Sequence, residues 1–148
     1  MRAVVQRVKH AQVSAAGRIT GRIGSGLLVL LGVAAYDTEA DAREIAGRVL
    51  KMRIFADPAG KMNLDLAAVG GQLLVVSQFT LLADTTAGRR PSFTGAAPPD
   101  QARDLYQKFL SLCRASGIKT EEGEFGAMME VELVNDGPVT FVIDSRAK

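Results

Sequence analysis

"GLLVLLGVAAYDTEAD", residues 26 to 41, carries a buried strand and the start of a helix side by side. From Leu27 to Ala34 the residues are apolar without alternation, the pattern of a strand buried on both faces. The run is too short to span a bilayer, which takes about 20 apolar residues in a helix. "TEAD", Thr38 to Asp41, is a variant capping box: Thr38 can accept from a backbone N–H, and Asp41 favours the positive end of the first turn. Ile45, Val49 and Met52 then recur at helical spacing, so one face of this helix packs on a sheet.

Working outward, the upstream "AVVQRVKHAQVSAAGRITGRIG" reads as strands joined by short turns, one of them at Ala16 and Gly17. Downstream, "ADPAG" from Ala56 to Gly60 is a turn that closes the first helical unit. "GGQLLVVSQFTLLAD" contains a second buried strand, Leu73 to Val76, which leads into Ser77, Gln78, Phe79 and Thr80. Pro98, Pro99 and Asp100 open a second helix whose apolar stripe is Ala102, Leu105, Tyr106, Phe109, Leu112 and Cys113, and Gly117 suits its C-terminal cap. The rest is strand-like. Strands at both ends with two helices among them predict an α+β fold: one domain over residues 1–148, with a largely antiparallel, barrel-like sheet covered on one face by the helices.

With 148 residues, 47% hydrophobic and 23% charged, the chain is long enough for a real core and ordinary for a soluble globular protein. The N-terminus interleaves charges with valines and lacks the pattern of a signal peptide, so a cytosolic location is expected. One Cys and one His exclude an internal disulfide and make a His/Cys metal site in one protomer implausible. There is no dense acidic loop for calcium, and neither a metal nor a cofactor is expected. A formal net charge of +2 permits a polyanionic partner without demanding one.

The usual catalytic groupings are missing. His10 has no G-x-S-x-G elbow to serve, and the hydroxyls of Ser77 and Thr80, without a neighbouring base, read locally as strand-end caps. "GRIGSG", with Gly24 and Gly26, is followed by a strand and by no Lys-Ser/Thr, which argues against a phosphate loop. "AGRRPSF", Ala87 to Phe93, sets two arginines beside a proline and an aromatic; such a loop can pair phosphates and stack a base, or simply be a solvated basic loop. "NDGPVT", Asn135 to Thr140, has the composition of a turn between two strands. On these residues alone, an enzyme and a binding module both remain open.

"SQFTLLAD" together with the downstream "NDGPVT" resembles the two signature motifs of the D-aminoacyl-tRNA deacylases. The likeness continues through "VVQRV", "VSAAGRITGRIGSGLLVLLGV", "RIFADPAGKMNL", "GRRPSF" and "FGAMMEVELVNDGPVT". The resemblance implies hydrolysis of the ester between a D-amino acid and the 3′-terminal adenosine of tRNA, a chiral proofreading step. It also implies a homodimer formed through the sheet region, with active sites at the interface and tRNA as partner. Ser77, Gln78, Phe79 and Thr80 would form the catalytic pocket wall and adenosine end. Gly137 and Pro138, joined in that family by a cis bond, would reach into the other subunit's site, accept from the substrate ammonium and crowd out an L side chain. Arg7 would brace that loop, since its fork can hold two carbonyls or a carboxylate, and Met129 would border the pocket. Backbone N–H groups near Phe79 and Thr80 would stabilise the oxyanion in a substrate-assisted hydrolysis, with Thr80 as nucleophile the competing version. Glycyl-tRNA, which has no side chain to reject, should also be cleaved. A non-catalytic tRNA-binding module and a small esterase for free amino-acid esters are the rival readings.

Overall fold

The computed structural model describes residues 1–147. Its elements run β1 (Arg2–Ala15), β2 (Arg18–Ile23), β3 (Gly26–Gly32), α1 (Glu39–Lys51), β4 (Phe55–Ala56), β5 (Met62–Leu64), β6 (Gln72–Ser77), α2 (Pro99–Ala115), β7 (Thr120–Glu122) and β8 (Glu130–Asp144). The main sheet has the order β2-β1-β3-β6-β7, with β8 on β1. β1 organises it. Its first half pairs antiparallel with β3, from Arg2↔Gly32 to Val8↔Gly26, and its second half with β2, from Ala11↔Ile23 to Ala15↔Arg18. β8 runs antiparallel to both halves, with register shifts between Gln6 and Val8 and between Val8 and His10.

The fold is α+β with two α-helices and a largely antiparallel sheet, as the sequence predicts. Periodicity did not reveal that β3, β6 and β7 are mutually parallel. Parallel neighbours need long crossovers, and α1 and α2 lie in the two crossovers, β3 to β6 and β6 to β7. The sheet nearly closes into a barrel where β2 meets β7: a Cβ on Gly21 would lie 2.6 Å from the Glu122 carbonyl oxygen.

Alternation along β3 and β6 divides the interior in two. Leu27, Val29, Leu31, Leu73 and Val75 face the helices and join Ile45, Val49, Leu105, Tyr106 and Phe109. Leu28, Leu74 and Val76 face the other way, into the barrel, with Val8, Ala11, Val13 and Ile23. The unbroken apolar run of β3 is therefore a strand serving two cores, with each buried Leu or Val contributing roughly 1.5–3 kcal/mol.

At the start of α1 the Asp41 carboxylate accepts from the Thr38 backbone N–H at 2.8 Å and from the Thr38 hydroxyl at 3.2 Å. α2 begins at Pro98 and Pro99, and Gly117, just past its end, has φ +86°. Cys113 is buried, and burial pushes its thiol up to about 12, too high for a thiolate nucleophile at neutral pH. Among the described residues no helix is long and apolar enough to cross a membrane.

Candidate active site

β6 ends at Ser77, and the chain then turns sharply. The Gln78 N–H donates to the Leu31 carbonyl at 2.8 Å, and Phe79–Leu82 form a short 3-10 turn in which the Leu81 N–H donates to the Gln78 carbonyl at 3.2 Å. The backbone N–H groups of Phe79 and Thr80 open this turn, where the first donors of a helix have no partner within it.

The turn is clamped from two sides. A Cβ on Gly32 would lie 2.5 Å from Leu82 and 2.9 Å from the Gln78 carbonyl, so glycine lets the turn approach β3 closely. The Arg2 guanidinium donates to the Leu81 carbonyl at 2.6 Å and to the Asp144 carboxylate at 3.0 Å. Burial disfavours the charge on Asp144, but the Arg146 N–H and Arg2 outweigh it and hold the carboxyl below its ordinary range.

Beside the turn lies a cavity of about 630 Å³ with Ser77, Gln78, Phe79, Phe93, Tyr106, Phe125 and Met129 among its walls. Size and lining are those of a small-molecule site: aromatic and apolar, with few polar groups. The Phe79 and Phe93 rings meet edge to face at 5.0 Å between centroids, and Tyr106 and Phe125 lie 5.7 Å apart. Arg103 stands 5.0 Å over the Phe125 ring. The Tyr106 hydroxyl donates to the Val75 carbonyl at 2.9 Å. Burial, reinforced by Glu122, pushes its pKa upward, so it is a fixed neutral donor and not a base.

The expected site residues fall into two groups. Ser77, Gln78, Phe79 and Met129 line the cavity, with Thr80 next to them on the exposed turn. The Thr80 hydroxyl accepts from the Gln78 side-chain amide, and among the described residues it has no hydrogen bond to His, Lys, Asp or Glu. His10 is exposed on β1, opposite Val134. Gly137, Pro138 and Arg7 do not line the cavity of their own chain. The Gly137–Pro138 bond is cis, and both residues are exposed.

That second group has its own support. Arg7 donates to the Asp136 carbonyl at 2.9 Å and the Ile54 carbonyl at 2.6 Å, and lies 3.2 Å from the Asp136 carboxylate. The Asn135 amide donates to the Arg7 carbonyl at 2.8 Å and the Val139 carbonyl at 3.1 Å. A Cβ on Gly137 would run into the Asn135 side chain and the Val139 nitrogen, so only glycine fits. Sequence reasoning did not single out Asn135 and Asp136 as site residues, although their capacity to bond nearby backbone was a usable signal. Arg2 gave none.

Residues 4–144 match the family described as D-Tyr-tRNA(Tyr) deacylase. A D-aminoacyl-tRNA deacylase of Desulfatibacillum aliphaticivorans is 57% identical over 146 residues, covering 99% of this chain and 100% of its own. One from Deinococcus radiodurans is 56% identical over 144 residues, 97% of this chain and 99% of its own. A solved structure described as the c-Myc DNA Unwinding Element Binding Protein superposes with a TM-score of 0.93 at 38% identity, covering 99% of this chain and 100% of that one. A probable eukaryotic D-amino acid tRNA deacylase, TM-score 0.84 at 18% identity over 96% of this chain and 97% of that one, shares the fold.

Proposed function

The chain belongs to the D-Tyr-tRNA(Tyr) deacylase family and is a D-aminoacyl-tRNA deacylase, a hydrolase of the tRNA ester bond; from that premise we propose that it is a chiral proofreading enzyme whose catalysis relies on backbone groups and on the substrate itself. The observation that carries this reading is the aromatic cavity opening at Ser77, Gln78 and Phe79 with no titratable base hydrogen-bonded to Thr80 among the described residues. The terminal adenosine enters the cavity, and its ester lies over the turn. The N–H groups of Phe79 and Thr80 stabilise the oxyanion as water attacks the carbonyl carbon, a contribution that needs no side-chain base. The neighbouring ribose hydroxyl positions the water. The bond between the carbonyl carbon and the ribose oxygen then breaks, and that oxygen takes up a proton.

Stereochemical selection falls to Gly137 and Pro138. They are exposed and do not line the cavity of their own chain, which fits a homodimer in which each protomer supplies this pair to the site of its partner. Their carbonyls accept from the substrate ammonium and occupy the room an L side chain would need. A filter acting on the side chain has no hold on glycine, so glycyl-tRNA is also a substrate. The work belongs to the cytoplasm, where aminoacyl-tRNA is used.

Deacylation assays with Thr80→Ala test the chemistry. D-tyrosyl-tRNA turnover should persist to within about tenfold of wild type, the scale of one altered hydrogen bond. Wild type should cleave glycyl-tRNA at enzyme concentrations that leave L-alanyl-tRNA intact, and should fail on D-tyrosyl-tRNA lacking the neighbouring ribose hydroxyl. A trapped acyl-Thr80 adduct, or equal resistance of the glycyl and L-alanyl esters, would refute the account.

A further inference from the structure

We propose that the loop carrying Arg89 and Arg90 is a clamp for the single-stranded RNA phosphates immediately upstream of the terminal adenosine, an inference that rests on the deacylase reading of the cavity. The loop has a fixed base. Asp84 and Ser92 exchange both backbone hydrogen bonds, at 2.8 and 2.9 Å. The Asp84 carboxylate accepts from the Thr86 N–H at 2.9 Å and the Thr86 hydroxyl at 2.7 Å. Thr86 holds that carboxyl below its ordinary range, so the loop's one acid is ionised and already engaged within the loop.

The residue after this base is Phe93, whose ring meets Phe79 at the cavity wall. Arg90 is therefore within roughly 10 Å of chain from the cavity lining. Both arginines are exposed, and neither forms an ion pair among the described residues. Elsewhere the guanidiniums of Arg2, Arg7, Arg114 and Arg146 bond protein oxygens. Two unpaired guanidiniums at the mouth of an aromatic pocket fit a ligand whose end is a ring system and whose continuation is polyanionic. Arg suits phosphate through its planar fork of donors. The clamp would supply affinity for the polynucleotide without reading its sequence.

The test is the salt dependence of binding of uncharged tRNA, which does not require turnover. For Arg89→Ala/Arg90→Ala the slope of log K against log salt should become shallower by about 1.4, the value for two single-strand phosphate contacts. Arg89→Lys/Arg90→Lys should recover most of the slope. Lys119→Ala, at the opposite end of β6 from Ser77, should leave it as in wild type. An unchanged slope in the double alanine variant, or an equal reduction from Lys119→Ala, would overturn the clamp. Deacylation adds a second readout: the double alanine variant should lose more kcat/KM on D-tyrosyl-tRNA than on the D-tyrosyl ester of adenosine, and equal losses on both would count against it. Wild type that cleaves neither ester would defeat the deacylase mechanism, while the salt slope would still decide whether the loop holds phosphates.

Discussion

Arg7 illustrates how much one side chain can fix. Its guanidinium reaches the carbonyls of Asp136 and Ile54 and the carboxylate of Asp136, tying β1 to the stretch that ends in Gly137 and Pro138. Arg7→Ala would leave two carbonyls without their charged donor, at a cost on the order of 2 kcal/mol. The expected outcome is a lower melting temperature and at least a tenfold loss of deacylation, with Arg7→Lys failing to restore activity because a point charge cannot span both carbonyls. Full activity in Arg7→Ala would remove it from the support of the site. From sequence, Arg7 is a candidate only through the family resemblance, since every arginine carries the same fork. Arg2 performs a similar task on the 3-10 turn at Phe79–Leu82, but its partners Leu81 and Asp144 are distant in the chain, and nothing local to Arg2 announces them.

Among the elements, β8 is the least complete in a single chain. It pairs with β1 along one side, and among the described residues no strand covers its other edge. Val134 and Val142 are exposed on it at 42% and 69%. A long uncovered edge bearing apolar side chains invites pairing with another chain, consistent with the proposed homodimer. Val134→Lys/Val142→Lys should therefore sediment as a folded monomer and lose deacylation. A variant that stays dimeric with full activity would show that the subunits meet elsewhere, and a monomeric, active wild type would end the shared-site proposal. Periodicity made the long elements legible: the doubly buried β3 and β6, the capped α1 and the striped α2. It could not identify β6 as parallel to β3, because hydrophobic spacing records burial and not the direction of a neighbour. β4, β5 and β7, at two to three residues each, are too short to show a period. The 3-10 turn at Phe79–Leu82, four residues long, is likewise too short to show a period of its own.

In the molecule as a whole, the parallel pair explains where the cavity lies. Leu31 and Val33 at the end of β3 and Val76 and Ser77 at the end of β6 line it, so it opens at the carboxyl ends of adjacent parallel strands. There the chain leaves the sheet and strand-end backbone faces a crevice, as in open α/β sheets. The barrel interior and the helix-covered core on either side of these strands hold the walls rigid. The proposed homodimer would bring a stereochemical filter to that mouth from the partner, since Gly137 and Pro138 are exposed and do not line the cavity of their own chain. The measurement that bears most directly on this account is amino-acid release from matched D-tyrosyl-tRNA and L-tyrosyl-tRNA, with the wild-type protein titrated over several decades of concentration. The expected result is rapid loss of the D ester while the L ester survives at every concentration tested. Hydrolysis of both at similar rates, or of neither by a folded protein that binds tRNA, would contradict it.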